Sequence, residues 1–575
     1  MSNEATGGEN AQGTVTSVPT TLRGVGVSPG VAAGPVAQVR PPAGEPPSGP
    51  AVPESDAEAE AGRISVAADA VAKALQESAT TVEGERRELL ETTAQMAADP
   101  TLVKGAVALV RDQHLPAPRA VWQAAGQVAE QLSALGGYMA ERAKDVADVR
   151  NRIIAELTGQ PMPGVPQRSE PFVLVATDLA PADTALLDPA LVRAIVTAEG
   201  GPTSHTAILA RSLGIPAVVG VSGAAESLPE DEVVLVDGGA GTVELAPDAE
   251  RVRHAEEQRR VTRTFDGRGR TADGHEVALL ANVGDPDNAR AAAEAGAQGV
   301  GLFRTEFCFL DRAEEPGVEE QAEQYRRVLE QFPGKKVVVR TLDAGADKPL
   351  PFVTDAEEAN PALGVRGLRT ARKAPQVLEN QLAAIARAAD ATEADVWVMA
   401  PMVATVTEAE DFVAACERHG LGTAGVMVEV PSAALLAGPI LARAAFASIG
   451  TNDLTQYAMA ADRLLGSLAE LSDPWQPAVL RLVEATCQGG AQQSRPVGVC
   501  GEAAADPALA VVLVGLGVSS LSMTPRALAD VAAVLAATDL ATCRRLARAA
   551  VDAESAADAR ARVREGLPVL GELGL

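Results

Sequence analysis

The sequence predicts an α/β multidomain protein: a small α/β domain interrupted by an inserted helical bundle, followed by a C-terminal (β/α)8 TIM barrel. Three observations carry this. Short β-type runs at 22–36 resume only at Pro171. Between them, Ala, Leu and Val recur at three- and four-residue spacing, the mark of amphipathic helices. From about Phe265 onward, β-type runs alternate with helical ones about eight times, the expectation for a closed barrel.

At 575 residues the chain is too long for one core. Lys and Arg number 49 against 77 Asp and Glu, a net charge of −28. Such a surface repels phosphate backbones and anionic lipid, so nucleic-acid partners are excluded. No apolar stretch is long enough to span a bilayer, so membrane insertion is not expected. Five dispersed cysteines form no Cys-x-x-Cys pair and suggest neither a zinc site nor a disulfide framework. An odd cysteine number without a recognisable secretory signal fits a reducing compartment, and a cytoplasmic location is expected.

In chain order, residues 1–20 are polar, Gly-rich and aperiodic and read as a disordered tail. Residues 21–53 hold one or two strands punctuated by Ser28-Pro29-Gly30, then a Pro-rich link. Residues 54–157 read as about four helices, with breaks near Asp99-Pro100 and His114-Leu115-Pro116. Strands return at 171–176, 194–197, 217–220 and 233–236, completing an α/β domain over 158–248. A charged connector at 249–264 then offers a hinge. The barrel, 265–575, has candidate strands at 277–282, 299–303, 336–340, 364–366, 396–401, 425–430, 447–449 and 496–500. A doubly wound sheet would carry a Gly-rich phosphate loop after its first strand, and Ala281-Asn282-Val283-Gly284-Asp285 is not one.

Within the α/β domain, Gly200-Gly201-Pro202 makes a turn and Thr203 or Ser204 can cap the helix behind it. His205 then falls in the first turn, where unpaired N–H groups favour an anion. The ordinary alternative for such a histidine is a satisfied surface or core residue.

In a TIM barrel the C-terminal strand ends carry the chemistry. Here they present Arg304-Thr305-Glu306, Arg340-Thr341-Leu342-Asp343, Glu429, Gly450-Thr451-Asn452-Asp453 with Arg463 beyond, and Cys500-Gly501-Glu502. Arginine forks with carboxylates and an amide suit a phosphorylated acid and a hard cation such as Mg²⁺. Singly, each has a structural explanation; Glu429 could merely salt-bridge Arg340, and Cys500 could be a small buried hydrophobe. A thiol beside an enol is also a workable proton donor.

Long motifs carry a resemblance. Gly200-Gly201-Pro202-Thr203-Ser204-His205-Thr206-Ala207-Ile208-Leu209-Ala210-Arg211, Gly301-Leu302-Phe303-Arg304-Thr305-Glu306-Phe307, Val426-Met427-Val428-Glu429-Val430-Pro431, the stretch from Phe446 through Gly450-Thr451-Asn452-Asp453 to Tyr457, and Gly498-Val499-Cys500-Gly501-Glu502 occur in this order. Together they resemble enzyme I of the bacterial phosphoenolpyruvate:sugar phosphotransferase system, from about residue 22 to the end. The resemblance implies a swivelling phosphohistidine domain in which His205 takes the phosphoryl group from phosphoenolpyruvate and passes it to the carrier HPr, docked on the helical insert. It implies Mg²⁺ on Glu429 and Asp453, substrate held by Arg304, Arg340, Asn452, Asp453 and Arg463, protonation by Cys500, and a homodimer through the barrel. Two departures stand out. Ala180 replaces the family's usual Thr in Asp178-Leu179-Ala180-Pro181, and Ser519-Ser520-Leu521-Ser522-Met523-Thr524-Pro525 replaces a more usual acidic-aromatic pair before Ser-Met-Ser.

Two rival readings fit less well. A phosphoenolpyruvate synthase or pyruvate phosphate dikinase needs a large ATP-binding domain ahead of the histidine domain, and the preceding residues read instead as tail, strands and helices. A non-catalytic scaffold would have lost His205, a metal carboxylate or the arginines.

Overall fold

A computed structural model describes residues 21–40, 44–82, 85–135, 137–166, 168–201, 204–259, 263–310, 312–345, 350–354, 358–463 and 465–575. The expected tail at 1–20 lies outside them, as do Pro202 and Thr203 and the imidazole of His205.

The N-terminal half is built on eight strands: β1 (Thr21–Arg23), β2 (Val25–Ser28), β3 (Val31–Gln38), β4 (Phe172–Ala176), β5 (Val192–Thr197), β6 (Ala217–Val219), β7 (Val233–Asp237) and β8 (Thr242–Leu245). They form one mixed sheet in the order β1-β8-β7-β3-β4-β5-β6-β2. Its centre, β3 to β6, is parallel, with Val36 opposite Val173 and Val196 opposite Val218. Every residue of β4 is buried, as expected of a central strand covered on both faces. The sequence led us to expect one or two strands before the insert, and three are present, because Gly24 and the Ser28-Pro29-Gly30 turn each end a strand.

Between β3 and β4 stand five helices, α1 (Ala57–Ala79), α2 (Glu85–Ala97), α3 (Pro100–Gln113), α4 (Ala117–Leu135) and α5 (Gly137–Thr158). About four were expected; α4 ends at Leu135 and α5 begins at Gly137, a residue type of low helix propensity, with residue 136 outside the described residues. The other breaks behave as the sequence implies. Asp99 accepts from the Thr101 N–H at 2.6 Å with Pro100 in the first helical position, and His114 closes α3 with a φ of +54°. Ile64, Leu90, Val110, Val121, Ile153 and Ile154 fill the bundle core.

The bundle is seated on α6 (Pro181–Ala185), whose Ala182 and Ala185 join that core. Arg152 of α5 reaches Asp183 at 2.6 Å and Asp148 at 2.8 Å, all largely buried. Two further elements, α7 (His205–Leu213) and α8 (Ala224–Ser227), flank the sheet. The connector is α9 (Ala249–Arg259); it buries Ala255 against Ala33 and Leu235, and Gln258 Nε2 donates to Gly571 O at 2.7 Å.

The C-terminal half closes into a parallel barrel of β9 (Ala278–Val283), β10 (Gly299–Arg304), β11 (Lys336–Arg340), β12 (Asp395–Ala400), β13 (Ala424–Val428), β14 (Ala447–Ile449), β15 (Val497–Val499) and β16 (Ser520–Met523). One expected strand is corrected. Residues 364–366 lie between two 3-10 segments, Pro361–Leu363 and Gly367–Arg372, and the eighth strand is β16. Gly367 takes φ +56°, which breaks extension there. Ser520 and Ser522 in turn dilute the apolar signal of β16, which pairs with β9 through Leu521 and Leu279 and closes the ring. Glu429 therefore follows the fifth strand, Gly450 the sixth and Cys500 the seventh. Inside the barrel, Leu302, Val338, Met399, Met427, Phe446 and Cys500 form one cluster.

Candidate active site

The residues singled out in the barrel gather at one end of it because each follows the C-terminal end of a strand. Arg304 closes β10 and is exposed, whereas Arg340 closes β11 and is buried. Glu429 follows β13, and Cys500 follows β15. Asn452 and Asp453 sit in the first turn of the helix Thr451–Met459 behind β14, and Arg463 reaches Asp453 at 3.5 Å.

Arg340 lies 2.8 Å from Glu306 and 3.3 Å from Asp343. Those carboxylates hold its guanidinium above the ordinary arginine range in spite of burial, so it stays charged. The pairing with Glu429 that the sequence allowed is not among its ion pairs within the described residues. Glu429 is instead 1% exposed, and its Oε1 accepts the Met402 N–H at 2.5 Å. Met402 adopts a φ of +60° to aim that N–H, a backbone strain of the kind concentrated at functional sites. Burial, then the neighbouring Asp453 and Asp343, push the Glu429 carboxyl up to about 8.

Sequence reasoning missed Arg366. Its guanidinium is 3% exposed and bridges Asp343 at 3.0 Å and Asp453 at 3.1 Å. Burial would lower its pKa, but those two carboxylates outweigh it and raise it. The available signal was an arginine set between Gly364 and Gly367 on a loop reaching the barrel mouth. Glu306 and Asp343 were counted among the strand-end residues but given no individual role, and they are the anionic half of the Arg340 and Arg366 network.

The Cys500 thiol is 2% exposed and donates to Ile449 O at 3.6 Å. Burial pushes it up to about 11, so at neutral pH it carries its proton. Its loop is held from both sides: Asn282 Nδ2 donates to Cys500 O at 3.0 Å, and the Glu502 N–H donates to Asn452 Oδ1 at 3.2 Å. Gly501 is required by contact, since a Cβ there would fall 2.0 Å from Thr451 Oγ1.

His205 is the first residue of α7, and Ser204 caps that helix by accepting the Ala207 N–H at 3.2 Å. The helix end that favours an anion is therefore present. The same helix touches the barrel mouth. Arg211 Nε is 2.8 Å from Glu502 Oε2, and Arg526, beyond β16, donates to Leu213 O. A narrow cleft of about 60 Å³ is shared by Val27, Ser28 and Arg211 on one side and Asn452, Arg463 and Glu502 on the other.

Among the described residues no group of three His, Cys, Asp or Glu side chains is arranged to hold a metal ion. Glu429 and Asp453 form a pair, which suits Mg²⁺ because that ion takes one or two carboxylates and completes its shell with substrate oxygens and water. Burial raises Glu429 most and the nearby Asp453 and Asp343 add to it; a hard cation would offset both by supplying positive charge to the buried carboxylate.

Three family models match in order: the N-terminal domain of PEP-utilising enzymes over residues 23–142, their mobile domain over 168–241 and their PEP-binding domain over 258–540. The chain is 52% identical over 547 residues to a phosphoenolpyruvate-protein phosphotransferase of Streptomyces coelicolor, covering 94% of this chain and 98% of that one. It is 40% identical to one of Haloferax volcanii, with the same two coverages, and 36% identical to one of Bacillus subtilis, covering 82% of this chain and 86% of the relative. No helix of the described residues is long and apolar enough to cross a membrane. With all three domains matched in order and near end-to-end identity to such relatives, the chain belongs to the enzyme I family of phosphoenolpyruvate-protein phosphotransferases.

Proposed function

We propose that this protein transfers the phosphoryl group of phosphoenolpyruvate to its own His205 and then to a histidine of the carrier HPr, releasing pyruvate, as the first step of phosphotransferase-system sugar uptake. The observation that carries the reading is the tie between α7, which begins at His205, and the barrel mouth where the arginines, Glu429, Asp453 and Cys500 converge.

Phosphoryl transfer needs positioning and charge neutralisation more than covalent catalysis. Arg304, Arg340 and Arg463, with Asn452, hold the phosphate and carboxylate of the substrate, and Arg366 fixes Asp453 beneath them. His205 attacks phosphorus as a neutral imidazole; the N–P bond forms as the P–O bond to the enol breaks. The electron pair of that bond leaves on the enolate, whose methylene carbon takes the Cys500 thiol proton to give pyruvate, and solvent returns a proton to the sulfur. Glu429 and Asp453 would hold Mg²⁺, which when bound supplies electrostatic stabilisation of the phosphoryl oxygens.

The second transfer requires His205 to leave the barrel, and α9 is the hinge we assign to that swing. HPr docks on the α1–α5 bundle, the enzyme dimerises through its barrel, and it works in the cytoplasm; the family resemblance supports these three statements. Incubation with Mg²⁺ and labelled phosphoenolpyruvate is expected to yield an acid-labile, base-stable phosphoprotein that passes its label to HPr. His205→Ala should abolish labelling, and equal labelling of that variant would overturn the assignment.

A further inference from the structure

The residues assigned above to binding and chemistry do not include the groups that join the two halves of the molecule. Arg211 and Glu502 are such a pair, 2.8 Å apart, with side chains 9% and 26% exposed. Arg211 lies on α7, the helix that begins at His205, and its Nη1 also donates to Val27 O at 3.0 Å within its own domain. The guanidinium is thus fixed to the sheet on one side while it presents Nε to the barrel.

Glu502 is equally well placed at its end. It lies two residues beyond Cys500, and its N–H is held by Asn452 Oδ1. The ion pair therefore connects the helix of the phosphoryl acceptor to the loop of the proton donor through two short segments. Two neighbouring contacts set the same approach. Arg526 of the barrel donates to Leu213 O at the C-terminal end of α7, where a cation also complements the helix dipole. Gly201, ahead of His205, lies against Ala469 so closely that a Cβ would come within 3.3 Å of the Ala469 Cβ.

We infer that Arg211 and Glu502 are positioning residues: an interdomain latch that holds His205 over the barrel for the first phosphoryl transfer and must open for the second. The inference rests on the proposed phosphoryl relay and adds to it the groups that select the docked arrangement. A charge pair suits this role because it is directional while closed, and each partner is readily rehydrated on separation from a partly exposed interface. A misplacement of about 1 Å in such a geometry costs on the order of a hundredfold in rate.

The test separates the two half-reactions in the full chain. Glu502→Gln and Arg211→Gln are expected to slow labelling by phosphoenolpyruvate at least tenfold. Once labelled by long incubation, they should still transfer to HPr at the unaltered rate. The reversed pair, Arg211→Glu with Glu502→Arg, should recover labelling relative to either reversal alone. Gly201→Val should mimic the single variants through bulk instead of charge. Small-angle scattering supplies a readout independent of activity, with a larger radius of gyration expected for Glu502→Gln than for the unaltered protein. Unchanged labelling in Glu502→Gln, or an equal loss in both half-reactions, would overturn the latch. Failure of the unaltered protein to label would instead overturn the relay, and scattering would still judge the latch.

Discussion

Arg366 and Asp453 meet at 3.1 Å across the mouth of the barrel, and the same guanidinium holds Asp343 at 3.0 Å on its other side. A single buried cation thus separates two buried carboxylates, one on the loop after β11 and one in the first turn of the helix behind β14. Replacing it by a neutral group removes the nearest counter-charge of both anions and leaves them only Arg340 at 3.3 Å and Arg463 at 3.5 Å. Arg366→Gln is expected to destabilise the barrel by roughly 3–5 kcal/mol, the usual cost of breaking one side of a buried pair. The midpoint of urea unfolding, followed by the fluorescence of Trp397 and Trp475, reads this directly; an unmoved midpoint would refute the bridge.

The thiols offer a second check. All five cysteines are buried and free, and burial pushes Cys500 up to about 11 and Cys308, Cys416, Cys487 and Cys543 up to about 12. The thiolate is the reactive form, and at pH 8 a thiol titrating near 11 is ionised to about one part in a thousand. A disulfide exchange reagent should therefore react slowly with the native protein and with all five thiols at once after denaturation. The native rate at Cys500 should climb about tenfold per pH unit, since the thiolate fraction does so below the pKa. A fast native phase at pH 8 would contradict this.

Ala180 supplies the third. It caps α6 with an extended backbone, its carbonyl accepting from the Asp183 and Thr184 N–H groups at 3.0 Å, but it has no side-chain acceptor. A threonine there adds a cap worth about 0.5–2 kcal/mol. Ala180→Thr should raise the thermal midpoint and, by supplying the hydroxyl that the enzyme I resemblance leads one to expect, lengthen the life of the proposed phosphohistidine. Both are measured on one preparation, by thermal scan and by decay of label at neutral pH; a lowered midpoint would argue against an open cap.

Much of the architecture was readable because its signals are local. The five-residue run of β4, the Asp99-Pro100 cap and the strand-end positions of Arg340, Glu429 and Cys500 are each written within a few neighbouring residues. What escaped depends on distance. Arg366 finds Asp453 across 87 residues of chain, and its own segment, Gly-Val-Arg-Gly, looks like a strand until the left-handed Gly367 is seen. The alternation of serine with leucine and methionine in β16 gave too little apolar contrast to register. Arg211 and Glu502 were both visible inside long motifs, but no periodicity relates a helix in one domain to a loop in another. For Glu429, the ordinary alternative to a metal-binding role was a plain salt bridge with Arg340, and folding gave Arg340 to Glu306 and Asp343 instead.

The insertion of α1–α5 between β3 and β4 has a consequence for how such a protein can change over generations. Those strands are parallel neighbours, so some crossover must join them, and five helices occupy a connection that a short loop and one helix ordinarily make. The bundle is attached to the sheet mainly through α6 and the Arg152–Asp183 pair, and it contributes no strand to the sheet. Mutations on its outer faces therefore leave strand register and the barrel mouth untouched. On the docking role proposed for the bundle, recognition can drift in one module while the chemistry is inherited intact in the others.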